Sequence, residues 1–336
     1  MVRPSVEVAS GVQKRVRHMR LTLLVLALLC VPVQSAFATF SIIAIDPATG
    51  DLGVAVASKF FGLGGSGLSL AEANVGVVAT HGNVGYGPRA LELLRQGLSA
   101  QQVVDRLFAD DPVNRRKNQI AIIDAKGNVA VFSDAMSDWK GHRQGATFSA
   151  QGNTLAGPAV VEAMARAFEA ARGELAERLF AALKAGDDAG GDRRGKQSAS
   201  MYVVRKGGGR GTNSDRYVVI SVDDHPQPMT ELRRLLDMQL SMNYSSRISS
   251  LFLEGKTQEA LAAARTAARY APTDATAQMQ LGFLLYLTGD SDQALQSFRA
   301  ARALNPDFRQ AWDTMAATAA YKKILDDREF VARIPR

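Results

Sequence analysis

The stretch TFSIIAIDPATGDLGVAVASK, residues 39–59, decides the fold of this chain. Two runs rich in apolar and β-branched residues, TFSIIAID and LGVAVAS, flank the turn-forming sequence PATGD. The pattern predicts an antiparallel β-hairpin. Because the first strand of such a hairpin begins where the second strand ends, we expect Thr39 to lie near Ser58 and Lys59.

The segment before Thr39 has the pattern of a secretory signal peptide. Arg20 precedes the apolar run LTLLVLALLCVPV, which at about a dozen residues is too short to span a bilayer as a helix. Small residues at Ala36 and Ala38 then fit the −3 and −1 positions of a cleavage site. We therefore expect cleavage after Ala38.

With cleavage there, residues 1–38 are the signal peptide. We then expect a periplasmic or secreted mature protein that contacts the membrane only during export. Met1 and Met19 are both candidate start residues, and a start at Met19 gives a signal peptide of ordinary length. The alternative is an uncleaved N-terminal anchor, which N-terminal sequencing distinguishes.

Composition excludes several classes of function. The net charge is +7, but residues 1–38 hold five cations and one carboxylate, so the remainder carries only +3 and gives no case for nucleic acid binding. The sole cysteine, Cys30, lies in the segment expected to be removed. The histidines form no paired metal-binding motif, and no dinucleotide or phosphate-binding loop is present, so we expect no metal and no cofactor.

Removal of the signal peptide gives Thr39 a chemical role. Its hydroxyl would then lie beside a free α-amine, whose ordinary pKa near 8 leaves a useful neutral fraction at physiological pH. A threonine activated by its own N-terminal amine is a recognised nucleophile. A lysine at the neighbouring strand end, Lys59, would lower nearby pKa values and stabilise an oxyanion, although a solvated strand-end lysine is an equal alternative.

The rest of residues 39–240 alternates between strand and helix signals. Strands are predicted over 75–80, 118–134 as a hairpin, 147–153, 198–204 and 216–222, and helices over 88–96, 100–109, 158–172 and 174–185. Strands, helices and further strands in that order predict an α+β layered domain with a mostly antiparallel sheet.

An internal repeat follows in residues 241–330. Gly255 and Gly289 are 34 residues apart, as are Pro272 and Pro306, and GKTQEAL aligns with GDSDQAL. A 34-residue period with these positions predicts a small all-α module of tetratricopeptide repeats. Two repeats and a capping helix bury barely enough surface to be stable alone, so we expect the module to pack against the preceding domain.

Residues 39–240 resemble domain-of-unknown-function family 1028, which is placed in the Ntn-hydrolase superfamily. The matching pieces include the 39–59 hairpin, YGPRALELLRQGLSA, QGNTLAGP and LAERLFAALKAGDDAGGDRRGKQSA, in collinear order. The resemblance implies a four-layer αββα sandwich. Relatives without a signal peptide look as if they begin Met-Thr-Phe-Ser, so methionine removal would expose the same threonine.

The candidate site residues follow from this organisation. Thr39 is the expected nucleophile, Lys59 its electrostatic partner, and Asn153 the group that donates to an oxyanion or positions the α-amine. The expected substrate-binding residues lie at strand ends and in the Gly-rich loop 185–197, whose cations suit a carboxylate; they are Ser58, His81, His142, Arg143, Asp192, Arg193 and Ser198.

Two classes of function remain open at the sequence level. The first is an exported amidohydrolase that acts on an amide-bearing small molecule or peptide, with the repeats binding a protein partner. The second is a non-catalytic binding or assembly protein that uses the same fold as a scaffold and docks a partner through its repeats. Ntn domains often assemble, so a homo-oligomer is also possible in either class.

Overall fold

The computed structural model describes residues 39–115, 118–134, 139–210 and 213–335. The predicted signal peptide, its cleavage motif, both candidate start residues and Cys30 therefore lie outside the described residues. No helix within the described ranges has the length and hydropathy needed to cross a membrane.

Six strands form the larger sheet, in the spatial order β10-β9-β2-β1-β8-β7 with every neighbouring pair antiparallel. The predicted hairpin is its centre, because β1 pairs with β2 in continuous register from Thr39 opposite Ser58 to Ile45 opposite Leu52. The strands are β1 (Thr39–Ile45), β2 (Leu52–Ser58), β7 (Gly141–Gln144), β8 (Phe148–Asn153), β9 (Ser198–Val204) and β10 (Arg216–Val222).

A second antiparallel sheet has the order β3-β4-β5-β6. Its strands are β3 (Ser69–Glu72), β4 (Gly76–His81), β5 (Gln119–Asp124) and β6 (Val129–Ser133). The short strands β3 and β7 were not predicted from the sequence, since neither contains a clear alternation of apolar and polar residues.

Helices cover the outer faces of both sheets. Helices α1 (Tyr86–Arg95) and α2 (Ala100–Asp110) pack on the smaller sheet, and α3 (Ala159–Ala170) and α4 (Leu175–Asp188) pack on the larger one. Between the sheets, Ile43 and Val54 from the larger sheet share a core with Val77 and Ile123 from the smaller one. The predicted combination of helix and sheet is confirmed.

A single helix, α5 (Pro228–Leu253), joins the sheet domain to the C-terminal helices. Its first half buries Leu232 and Leu236 in the core of the larger sheet, whereas Ile248 near its end belongs to the core of the helical region. The predicted boundary between residues 240 and 241 therefore falls inside a continuous helix, because this one helix contributes buried side chains to two cores.

The C-terminal region is all-helical, as predicted from the 34-residue period. Gly255 and Gly289 follow the ends of α5 and α7 with φ of 76° and 92°, the left-handed conformation that glycine adopts without steric cost. In its core Phe283 stacks on Trp312, and Phe298 packs edge-on against both rings. The helices are α6 (Thr257–Tyr270), α7 (Ala275–Leu287), α8 (Ser291–Leu304), α9 (Phe308–Ala316) and α10 (Arg328–Ala332).

Candidate functional site

One end of the larger sheet carries a transverse row of four polar residues, which we call the edge row. Thr39 lies opposite Ser58 on one side and Asn153 on the other, and Ser58 in turn lies opposite Ser198. Directly paired residues of a sheet point to the same face, so the whole row faces the smaller sheet, as Ile43 does two alternations further along β1.

Thr39 is fully buried within this row. Its hydroxyl donates a hydrogen bond to the Ser58 hydroxyl, with an Oγ1–Oγ distance of 3.2 Å. Ser198 is buried as well, and its hydroxyl donates to the main-chain carbonyl of Phe60. The register of three strands, rather than a flexible loop, therefore fixes the position of the Thr39 hydroxyl.

Asn153, one of the predicted site residues, has a buried polar atom that makes no hydrogen bond to the described residues. Its side-chain oxygen is buried and has no hydrogen-bond partner within the described residues. A buried acceptor without a donor is costly, and such atoms call for an explanation. Since Asn153 lies directly opposite Thr39, this oxygen can accept a hydrogen bond from a group at the start of β1.

A second polar layer, the inner row, lies next to the edge row between the sheets. It consists of Ser41, Gln151, His81 and Gln119. The Ser41 hydroxyl accepts from Gln151 Nε2 at 2.6 Å and lies 3.0 Å from His81 Nε2, while His81 Nδ1 lies 2.9 Å from Gln119 Oε1. These hydrogen bonds connect the two sheets beside Thr39.

His81 is held neutral by its surroundings. Burial lowers its pKa to about 4, with the charge of Lys140 acting in the same direction and the hydrogen bond with Gln119 acting against them. His81 was predicted to open a loop and border a substrate pocket. It is instead the last residue of β4, and its two ring nitrogens lie within hydrogen-bond distance of the Ser41 and Gln119 side chains.

The structure does not support the predicted catalytic role of Lys59. Its side chain is exposed while Thr39 is buried, and its ammonium donates to the carbonyl of Lys196 at 3.4 Å. The reason is that β2 ends before Lys59. Ser58 is the last residue of β2 and occupies the face that carries Thr39, whereas Lys59 lies in the bend that follows, with its side chain exposed.

The side chains of the predicted site residues His142 and Arg143 lie on opposite faces of the larger sheet. The His142 ring lies 3.1 Å from the Ser133 hydroxyl of the smaller sheet, so it reaches the layer between the sheets from an exposed edge strand. Arg143 pairs with Glu162 on α3, on the opposite face. Arg143 therefore does not line the site.

The Gly-rich loop is fixed to the end of β2 by Asp192. This buried carboxylate accepts from the Lys59 main-chain nitrogen at 2.8 Å and pairs with the Arg194 guanidinium at 2.9 Å. These contacts attach the loop to the end of β2 and occupy both oxygens of the Asp192 carboxylate. Arg193 is exposed, and its main-chain nitrogen donates to the carbonyl of Thr154, one residue beyond Asn153.

The inner-row residues Ser41, Gln119 and Gln151 were missed at the sequence level. The only signal was the spacing of polar residues at alternate positions of two apolar strands, Thr39 with Ser41 and Gln151 with Asn153. That spacing marks one face of a strand.

Comparison with known proteins places this site within a family. Residues 39–232 match the model of a family of unknown function, DUF1028. The chain belongs to the DUF1028 family. Residues 251–318 match a tetratricopeptide repeat model, which supports a protein-interaction role for the C-terminal helices of this DUF1028 protein. No functionally curated protein matches the chain.

Two solved structures are similar to parts of the chain. The crystal structure of protein SPO2555 from Silicibacter pomeroyi, a DUF1028 protein, is 32% identical with a TM-score of 0.53, and the match covers 59% of this chain and 88% of that one. A MamA mutant matches 31% of this chain and 79% of its own at 18% identity, with a TM-score of 0.21, too weak to carry an argument.

Proposed function

We propose that this DUF1028 protein is an exported amidohydrolase whose nucleophile is Thr39, freed as the N-terminal residue by cleavage after Ala38. The proposal includes an Ntn-type αββα sandwich formed by the two sheets and their covering helices. The observation that carries it is the buried edge row, in which Thr39 begins β1. On one side the Ser58 hydroxyl accepts a hydrogen bond from the Thr39 hydroxyl, and on the other lies the Asn153 amide oxygen, which has no partner among the described residues.

The proposed chemistry uses the two groups of Thr39 itself. Its hydroxyl oxygen bonds to the carbonyl carbon of the substrate amide, and the hydroxyl proton passes to the α-amine. The carbon–nitrogen bond then breaks as this proton moves to the departing amine, which leaves an ester on Thr39. Water attacks the ester with the α-amine as base, and the products are a carboxylic acid and the free enzyme.

Neighbouring groups have positioning roles in this proposal. Ser58 accepts the hydrogen bond from the Thr39 hydroxyl and so fixes its rotamer. The side-chain oxygen of Asn153 is the acceptor that would orient the α-amine. The inner row contributes a rigid, uncharged floor, since burial keeps His81 neutral.

The test compares two purified proteins that differ only at the first residue. One begins at Thr39 and the other at Ala38, so the second has the same fold but its Thr39 nitrogen is an amide. Both are treated with an acylating probe and then analysed by intact mass and peptide mapping. We expect acylation of Thr39 only in the first protein, loss of turnover of amide substrates in Thr39→Ala, and retention of turnover in Thr39→Ser. Equal activity of the two forms would overturn the mechanism.

The second candidate is a scaffold that binds a protein partner without catalysis. The tetratricopeptide match favours it, and so does the continuous helix α5, which fixes the repeats to the sheet domain. If cells that carry full-length Thr39→Ala retain the wild-type phenotype and the same protein contacts, the scaffold is favoured over the enzyme.

A further inference from the structure

A mostly apolar cleft of about 350 Å³ lies among the loops that follow β2 and β4. None of the residues that line it is charged; they are Phe60, Phe61, Gly62, Gly65, Ser66, Leu68 and Val84. Phe61 and Val84 are large apolar side chains that are 67% and 46% exposed. The volume lies at the lower end of the range for small-molecule sites, which are mostly apolar with a few placed polar groups.

Covalent and hydrogen-bonded connections tie this cleft to the edge row. Phe60 is two residues beyond Ser58, and its carbonyl accepts from the Ser198 hydroxyl. The carbonyl of Leu68 accepts from the main-chain nitrogen of Thr80, at 2.8 Å. The Cα atoms of Ser58 and Phe60 are at most about 7 Å apart, because only one residue separates them in the chain. Ser58 lies directly opposite Thr39, so the cleft begins a short distance from the proposed nucleophile.

Two cations of the Gly-rich loop, Arg194 and Lys196, form ion pairs within the domain. Lys196 pairs with Asp187 at 2.6 Å, and Arg194 pairs with Asp192. These two guanidinium and ammonium groups are therefore neutralised by carboxylates of the same domain. The cleft, by contrast, is lined without any charged side chain.

We propose that this cleft binds an apolar acyl chain or apolar side chain of the amide that Thr39 cleaves, so the substrate class is an amide with a sizeable aliphatic or aromatic group. The inference rests on the proposed function. Specificity then comes from the area of apolar surface that the substrate buries, and it grows with chain length until the cleft is filled.

The experiment uses protein that begins at Thr39 and a series of 7-amino-4-methylcoumarin amides with acetyl, butanoyl, hexanoyl and octanoyl groups. The leaving group is constant, so differences in kcat/KM report the acyl chain alone. Each buried methylene is worth about fourfold, the equivalent of ~0.8 kcal/mol. We expect at least a tenfold rise in kcat/KM from acetyl to hexanoyl.

Two variants and a matched control locate the effect. Gly65 lines the cleft, and a Cβ there meets no atom within 4 Å, so Gly65→Phe adds a phenyl ring at the cleft without a steric clash. It should remove the preference for long chains while the acetyl amide is still cleaved. Val84→Asp places a charge at the cleft and should also weaken the preference. Val219→Asp is the control, since Val219 is a similarly exposed valine on β10, outside the cleft.

A direct binding measurement separates this inference from the proposed function. The fluorescence of 1-anilinonaphthalene-8-sulfonate should rise with wild-type protein and Val219→Asp, and not with Gly65→Phe. If no amide is hydrolysed but this difference is seen, the proposed enzyme is wrong while the apolar cleft stands. If amides are hydrolysed at rates independent of chain length, or Gly65→Phe leaves the preference intact, the cleft has been assigned wrongly.

Discussion

The side chains of β1 that face the smaller sheet change character within one strand. Ile43 and Ile45 belong to an apolar half of the layer between the sheets, with Val77 and Ile123 opposite. Thr39 belongs to a polar half, together with the edge and inner rows. The two halves share strands, register and burial, so the difference between them lies only in side-chain chemistry.

We infer that the apolar half provides stability, whereas the polar half contains the proposed site. Apolar burial stabilises a fold by roughly 25 cal/mol per Å², whereas buried polar groups return little even when hydrogen-bonded and cost free energy when they are not. The polar half contains unpartnered buried atoms at Asn153 and Gln151, counted among the described residues. A fold selected for stability alone would fill this half with aliphatic side chains.

The largest effect on stability is expected in the apolar half. Ile43→Ala removes a fully buried side chain between the two sheets and should lower the free energy of unfolding by about 4 kcal/mol. Urea unfolding of the variant measures this loss. Ile220→Ala, at a half-buried position on the edge strand β10, is the matched control and should cost about 1 kcal/mol. Equal losses at both sites would mean that the intersheet core does not dominate stability.

Acidification should act on the polar half through His81. Its folded pKa of about 4 lies below the ordinary value of 6.5, so the unfolded chain binds the proton more tightly. Stability is therefore full above pH 6.5 and declines as the pH falls toward 4, by about 3 kcal/mol in total. Unfolding curves of wild type and His81→Gln between pH 7 and 4.5 test this. The variant should lose most of the slope, and an unchanged slope would assign it to other groups.

Within the inner row, Ser41→Ala should have an intermediate effect. The Ser41 hydroxyl accepts from Gln151 and contacts His81, so its removal leaves two buried polar groups without their partner. We expect a loss of about 2 kcal/mol in the free energy of unfolding. A larger effect on turnover than on stability, measured in protein that begins at Thr39, would extend the site from the edge row into the inner row.

The contrast between the halves also explains what the sequence could predict. Runs of apolar and β-branched residues indicate the strands of the sheet, so β1, β2, β9 and β10 were predicted within a residue of their observed bounds. The predicted hairpin also placed Thr39 near Ser58, as observed. The inner row could not be predicted, because the contact of Ser41 with His81 joins two sheets and depends on how they pack. The exposed position of the Lys59 side chain could not be predicted from its adjacency to Ser58 either, because β2 ends between the two residues.

The smallest change in the free energy of unfolding is expected where the apolar and polar halves meet. There a substitution should raise stability or leave it unchanged, whereas the substitutions above lower it. Ser149 lies opposite Ile43, and its hydroxyl is buried with no partner in the part of the chain that the structure describes. Ser149→Ala removes an unsatisfied polar group and should leave stability unchanged or raise it by about 0.5 kcal/mol. The same urea titration used for Ser41→Ala measures it, and the two serines form a matched pair on one face of the sheet. If Ser149→Ala costs as much as Ser41→Ala, hydrogen bonding does not distinguish the two positions, and the polar half extends further along the strands than the edge and inner rows.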